Sequence, residues 1–214
     1  MTGGAADRGA AAGGTGATGG AGATGGGARA GVDVRPMEAE DLAGVLELNA
    51  ASVPAVGELD AARLAALVGM AELALVVRGP APAPTADDTG GPATGGPTAG
   101  GPAGFVLALG PGLDYGSPNY RFFDAGPGDF LYVDRIAVAP WAHRSGLGRM
   151  LYAEVVARAR ELGRRRVTCE VNLQPPNPRS RAFHAAMGFA EVGRQWTYGH
   201  TVEVQLLELD LRRT

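Results

Sequence analysis

Two glycines that stand two residues apart, Gly146 and Gly148, open a helical pattern soon after a strand-like run that ends at Val138. At a helix N-terminus the first backbone N–H groups have no partner within the helix, and the helix dipole places positive charge there. A side chain at either glycine would hold a ligand away from those N–H groups, whereas Arg144 and Arg149 add mobile positive charge. The spacing therefore predicts a cradle for a pyrophosphate or a similar anion.

The glycine pair by itself also fits proteins of other classes. Close packing of the helix against a strand would favour glycine too, and the pair alone does not separate close packing from an anion cradle. A dinucleotide-binding fingerprint needs a third glycine, which is absent at the required spacing. A Walker-type phosphate loop and a pyridoxal Schiff base both need a lysine, but all 19 basic residues are arginines, so these two classes are excluded.

Three further features follow the glycine pair in a fixed order. The strand-like run 167–171 leads to Asn177, and His184 stands in a helical pattern that ends at Gly188, with Phe189 next. Taken together, this order resembles the GNAT N-acetyltransferase superfamily. The signature of that family is Arg/Gln-x-x-Gly-x-Gly/Ala, followed by a strand, an Asn and an aromatic-x-x-x-Gly-Phe motif. The resemblance extends over residues 32–211.

The resemblance implies an α/β protein with the acetyltransferase fold, in which about four helices flank a mixed seven-stranded sheet. It also implies direct transfer of an acetyl group from acetyl-coenzyme A, the acyl donor, to an amine, with no metal. The coenzyme would lie where two central parallel strands splay apart. The residues that would bind it are Ile136, Ala137, Val138, His143, Arg144, Ser145, Gly146, Leu147, Gly148, Arg149 and Asn177.

The chain departs from the family pattern at two positions. His143 stands where the family usually has Arg or Gln, three residues before the first glycine. His184 stands where the family commonly has the Tyr that protonates the departing thiolate. A histidine can donate a proton near neutral pH, so His184 is the candidate acid, with packing on the helix face as its alternative. Tyr132 is the next candidate. Asn177 could bind the coenzyme, cap the following helix, or do both.

A carboxylate inside an apolar strand must be paired or functional, which makes Asp134 the candidate general base. Strand alternation would place it on one face with Tyr132, Ile136 and Val138. The alternative is a structural ion pair with an arginine such as Arg121. Just before this strand, an aromatic segment at 115–123 is expected to be a loop over the acceptor side, with packing in a small satellite cluster as its alternative.

Composition limits the remaining functions and the domain organisation. The chain has 214 residues and a formal net charge of −3, with no basic tail, which argues against a nucleic-acid-binding protein. It contains one cysteine, so a disulfide within the chain is excluded, and no apolar run reaches the roughly 18 residues of a membrane span. A cytoplasmic protein is therefore expected. Residues 1–31 are rich in Gly and Ala and predict a disordered tail, and residues 80–101 predict a flexible Gly/Pro-rich loop within a single domain at 32–211.

Hydrophobic periodicity, together with the residues that typically begin or end helices and strands, predicts the elements that position these groups. Strands are expected at 32–35, 73–78, 104–109, 130–138, 166–171, 189–196 and 202–211. Helices are expected to begin near residues 38, 59, 146 and 178. The pair 73–78 and 104–109 is expected to form a hairpin whose turn has grown into the long loop.

The acceptor is expected to be the primary amine of a small molecule, because the aromatic segment at 115–123 would act as a lid. Two alternatives stay open: acetylation of a protein N-terminus or lysine, and a non-catalytic acyl-coenzyme A sensor of the same fold. The sequence also leaves the oligomeric state open, and a homodimer through the C-terminal strands is one arrangement that it allows.

Overall fold

The structure is a computed structural model that describes residues 31–79, 101–197 and 199–213. The predicted disordered tail lies outside the described residues except for Gly31. The predicted loop at 80–101 lies outside them except for Gly101. Tyr198, between the last two predicted strands, also lies outside them.

The described residues form seven strands and five α-helices, which follow the predicted order. The strands are β1 (Asp33–Pro36), β2 (Leu73–Arg78), β3 (Gly104–Leu109), β4 (Phe130–Val138), β5 (Arg166–Gln174), β6 (Ala190–Thr197) and β7 (Val202–Asp210). The helices are α1 (Leu42–Ala50), α2 (Ala61–Met70), α3 (Pro118–Asp124), α4 (Leu147–Glu161) and α5 (Pro178–Ala186). Within the described ranges, no helix is both long enough and apolar enough to cross a membrane.

All seven strands form one mixed sheet in the order β1-β2-β3-β4-β5-β7-β6. The β4–β5 pair is parallel, and the other neighbouring pairs are antiparallel. The predicted hairpin is confirmed, because β2 and β3 pair from Leu73↔Ala108 to Val77↔Gly104. Helices cover both faces: Cys169 interacts with Tyr152 of α4, whereas its neighbour Glu170 interacts with Asn119 of α3.

The helix α3 begins within the aromatic segment, so the prediction of a loop there was wrong for residues 118–123. The hydroxyl of Ser117 caps the helix by accepting the N–H of Tyr120, and Pro118 occupies the first helical position, where a missing N–H costs nothing. Tyr120 and Phe123 are buried and pack their rings against Phe130 and Tyr132 of β4. These contacts make α3 part of the core, and they account for the fifth helix.

A β-bulge interrupts β4 beside the site. Val133 pairs with Ala108 and Arg135 pairs with Leu107, so Asp134 has no partner on β3. An extra residue disrupts the alternation of side chains along a strand. Tyr132 accordingly packs towards α3, whereas a methyl group of Val138 lies beside Leu151 of α4 over Gly104. The prediction that Val138 shares a face with Tyr132 and Asp134 was therefore wrong.

Candidate functional site

The two central strands pair only at their beginnings and then diverge. β4 and β5 are hydrogen-bonded from Phe130↔Arg166 to Tyr132↔Thr168, and the rest of β4 has no partner on that side within the described structure. Along residues 134–138, the backbone N–H and C=O groups that do not pair with β3 therefore face an opening between the strands. Two cavities of about 620 and 580 Å³ occupy this opening, and Ala55, Val56, Ile136, Ser180 and His184 line both.

The first cavity lies at the N-terminus of α4. The first intrahelical hydrogen bond runs from the N–H of Met150 to the carbonyl of Gly146, so the N–H groups of residues 147–149 have no partner within the helix. Gly146 has φ +92° and Arg144 has φ +65°, a left-handed conformation that is uncommon outside glycine. This turn directs the start of α4 and its N–H groups towards the cavity.

Ten of the eleven residues predicted to bind the coenzyme line this cavity. They are Ile136, Ala137, Val138, His143, Arg144, Gly146, Leu147, Gly148, Arg149 and Asn177. Ser145 does not line it, because its hydroxyl donates to the carbonyl of Ala142 at 2.6 Å. The side chain of Asn177 accepts the N–H of Ser180 at 3.1 Å, so this residue caps α5 while lining the cavity.

Gly148 also has a packing role. A Cβ on this residue would lie 3.4 Å from the ring of Phe183 on α5, which is close to ordinary contact. The close approach of the two helices therefore leaves room for a methyl group but for little more. The packing considered for the glycine pair was against a strand, whereas Gly148 packs against a helix.

The second cavity contains three acidic side chains, from Glu58, Asp134 and Glu170. The carboxylate of Asp134, whose side chain is 4 % exposed, accepts the hydroxyl of Tyr115 at 2.6 Å and the Nε of Arg135 at 2.9 Å. Both of its oxygens thus have a strong donor. The structural partner expected at Arg121 is instead Arg135, the next residue along the strand.

Glu170, on β5, is a site residue that the sequence reasoning missed. Its carboxylate accepts the hydroxyl of Tyr132 at 2.7 Å. Burial, with the nearby negative charge of Asp134, raises the pKa of Glu170 to about 7. The signal was available, because Glu170 is a lone carboxylate in the apolar run 167–171, the same pattern that singled out Asp134. Tyr132 thus contacts the site through its hydrogen bond to Glu170. Burial raises the pKa of Tyr132 well above its usual value.

His184 is buried and has a partner on each ring nitrogen. Nδ1 lies 2.8 Å from the carbonyl of Ser180, and Nε2 lies 2.7 Å from the hydroxyl of Tyr152. A carbonyl can only accept, so Nδ1 carries the hydrogen and Nε2 of the neutral ring accepts from Tyr152. Burial lowers the pKa of His184, which favours this neutral form. The ring also packs edge-on against Phe183 and Phe189.

Comparisons with known proteins agree with this geometry. A sequence profile described as the acetyltransferase (GNAT) family matches residues 94–189, a segment that contains β4, α4, β5 and α5. Among the curated proteins, no sequence matches the chain significantly.

Solved structures that resemble the chain share its fold at low sequence identity. The ribosomal-protein-S18-alanine N-acetyltransferase of Escherichia coli is 16 % identical, with a TM-score of 0.57 over 84 % of this chain and 94 % of that one. Ard1 of Thermoplasma volcanium is 15 % identical, with a TM-score of 0.62 over 85 % and 98 %. The yncA protein of Salmonella typhimurium, solved with its cofactor acetyl-CoA, is 17 % identical, with a TM-score of 0.57 over 85 % and 94 %.

Proposed function

The chain belongs to the acetyltransferase (GNAT) family, and on that premise we propose that it transfers an acetyl group from acetyl-coenzyme A to the primary amine of a small molecule. One observation carries the proposal: a cavity lined by arginines and no carboxylate meets, at Ile136, Ser180 and His184, a second cavity that holds three carboxylates beside two arginines. The first offers the N–H groups at the start of α4 and arginines to an anion, and the second offers carboxylates to an ammonium group. Transfer would take place where they meet.

The first cavity suits a coenzyme with a pyrophosphate and an amide-bearing arm. The N–H groups at the start of α4 would bind the pyrophosphate. The arm would hydrogen-bond the edge of β4 that faces away from β3, except for the carbonyl of Val138, which accepts Nε2 of His143. When bound, the coenzyme supplies an acetyl thioester. A backbone N–H of this strand edge would also stabilise the negative charge that develops on the acetyl oxygen.

Glu170 is the general base in this proposal. An acceptor amine is mostly protonated at neutral pH, so it must lose a proton before it can attack. A base is most effective when its pKa lies near the working pH, and the pKa of Glu170 is about 7. Asp134, the base expected from the sequence, is already engaged by Tyr115 and Arg135. It would instead help to raise the pKa of Glu170 through its negative charge.

The donor to the leaving sulfur would be the pair formed by Tyr152 and His184. In the resting arrangement the hydrogen of His184 is on Nδ1 and is bound to Ser180, so the hydrogen nearest the cavities is on Tyr152. Burial raises the pKa of Tyr152 well above its usual value, which keeps the hydroxyl protonated. We therefore assign hydrogen-bond donation to Tyr152: its hydroxyl, which in the resting arrangement donates to Nε2 of His184, would turn its hydrogen to the sulfur, and His184 would orient the hydroxyl until then. A direct proton donation by His184 is the alternative.

A strap over the acceptor cavity supports a small acceptor. Residues 53–57, between α1 and α2, line this cavity and are fixed at both ends. The side chain of Asn172 on β5 donates to the carbonyl of Pro54 at 2.9 Å. The side chains of Asn49 and Arg135 each donate to the carbonyl of Gly57 at 3.1 Å. An extended polypeptide would have to displace these contacts, whereas a compact amine would not.

A protein N-terminus is the second candidate acceptor. The similar structures include an enzyme named for an alanine of ribosomal protein S18 and the NatC complex bound to a Gag peptide. The test is release of the coenzyme thiol across a panel of small amines, run beside intact-mass analysis of peptide mixtures. Turnover confined to small amines would support the proposal, and acetylated peptides alone would refute it. Coenzyme binding without turnover on either panel would favour the sensor.

A further inference from the structure

Three arginines line the coenzyme cavity without a carboxylate partner. They are Arg144, Arg149 and Arg179, and none of them forms an ion pair with any described Asp or Glu. The described residues that line the cavity include no acidic side chain. The whole chain is nevertheless acidic, with 22 Asp and Glu against 19 basic residues. Such a local excess of unneutralised cations is typical of a site for a polyanion.

Arg179 differs from the other two because a neighbouring side chain holds it. Nε2 of His143 lies 2.9 Å from the carbonyl of Val138, and Nδ1 of the same ring lies 2.8 Å from Nη1 of Arg179. The carbonyl only accepts and the guanidinium only donates, so a neutral ring with its hydrogen on Nε2 satisfies both. Burial and the charge of Arg179 lower the pKa of His143, which agrees with a neutral ring.

We propose that Arg179, oriented by His143, binds a phosphate group of acetyl-coenzyme A; this inference rests on the proposed function. His143 occupies the position where the family usually has Arg or Gln, and both of its nitrogens are engaged as described. The cation that an Arg at this position would supply comes instead from the start of α5. Because the anchor is a neutral imidazole, Arg179 keeps its full charge and four of its five N–H groups for the ligand.

The place of Arg179 in its helix also points to an anion. It is the second residue of α5, after Pro178, and a cation in the first turn of a helix is unfavourable because the dipole is positive there. A helix-stabilising role therefore does not explain it. A bound phosphate would reverse the sign of the interaction, since the anion is favoured by both the helix end and the guanidinium.

Calorimetric titration of the full chain with acetyl-coenzyme A tests the inference. Arg179→Ala should raise the Kd about tenfold, as expected for the loss of one solvent-exposed, charge-assisted hydrogen bond. Arg181→Ala is the matched control, because it removes the same charge from an exposed residue of the same helix that does not line the cavity. Its Kd should change less than twofold. Equal affinities for wild type and Arg179→Ala would overturn the inference.

The role of His143 is tested by a double-mutant cycle. If His143 acts by orienting Arg179, His143→Ala should weaken binding in the wild type and have almost no further effect in Arg179→Ala. Additive losses would overturn the positioning role. Repeating the titrations with dephospho-coenzyme A assigns the phosphate: a smaller effect of Arg179→Ala there identifies the 3′-phosphate, and an unchanged effect identifies the pyrophosphate. A wild type that binds no acetyl-coenzyme A would refute the proposed function itself.

Discussion

Replacement of Glu170 by Gln tests the proposed base and can be followed by two independent measurements. Gln keeps the size of the side chain and an oxygen that can accept the hydroxyl of Tyr132, which lies 2.7 Å from the carboxylate in the wild type. It removes the negative charge and the ability to take a proton. Turnover should fall by about 10²- to 10⁴-fold, the usual range for loss of a general base. The wild-type kcat/KM should fall as the pH drops below about 7, where Glu170 becomes protonated.

The second measurement is stability as a function of pH. The pKa of Glu170 rises from 4.5 in the unfolded chain to about 7 in the fold, so folding disfavours the ionised form. The resulting penalty is absent below pH 4.5, grows as the pH rises, and is complete above pH 7. At 1.36 kcal/mol per pKa unit, this shift sets an upper limit of about 3 kcal/mol. Relative to wild type, Glu170→Gln should therefore gain stability between pH 4.5 and 8.

Thermal unfolding at pH 4.5 and pH 8 measures that gain. For a chain of this size, 1 kcal/mol corresponds to about 2–4 °C in Tm, so the variant should gain several degrees at pH 8 and almost nothing at pH 4.5. Asp134→Asn is the comparison variant. It should move the acidic limb of the pH–rate profile below pH 7, because the charge that helps raise the pKa of Glu170 is gone. Full turnover in a folded Glu170→Gln protein would refute the assignment of the base.

Three further predictions concern the cradle, the donor pair and the tail. Gly148→Ala should raise the Kd for acetyl-coenzyme A by at least tenfold in calorimetry, because the added Cβ shields the N–H groups of α4. The Tm should stay unchanged, because the Cβ fits against Phe183 at 3.4 Å. Unchanged affinity would leave only the packing role. Tyr152→Phe and His184→Phe should each lower turnover by about 10²-fold or more at constant coenzyme affinity, whereas full turnover in Tyr152→Phe would favour His184 as the direct donor. Deletion of residues 1–31 should leave Tm and affinity unchanged, and a loss of several degrees would contradict the predicted disorder.

Much of the fold could be predicted from the sequence because its elements carry strong local signals. The bounds of β2, β3 and β4 agree with the predicted runs, and α4 begins one residue after its predicted start. The missed helix, α3, is short and aromatic, so its seven residues lack the repeated apolar spacing of α4. Its Ser117-Pro118 start was a usable signal, since a serine cap before proline is typical of a helix N-terminus.

The site was harder to predict where a residue's role depends on contacts across the sheet. The position of Gly146 and Gly148 at the N-terminus of α4 could be predicted, because these residues lie together in the sequence. Glu170 and Asp134 carry the same local pattern, and only the fold shows that Tyr115 and Arg135 engage one while the other keeps a raised pKa. No sequence spacing relates Arg179 to His143, which lie 36 residues apart and meet through α5.

The bulge in β4 connects the fold to the proposed chemistry. In a regular strand, Asp134 and Ile136 would point to the same face of the sheet, and each would pair with one residue of β3. The bulge leaves Asp134 without a partner on β3 and lets the adjacent Arg135 form both the ion pair with Asp134 and the hydrogen bond to the strap at Gly57. The bulge thus links two features of the site: the negative charge of Asp134 beside Glu170, and the strap at residues 53–57 over the acceptor cavity. Because the same arginine serves both, a change that breaks the ion pair should also loosen the strap, and the base and the acceptor specificity should change together.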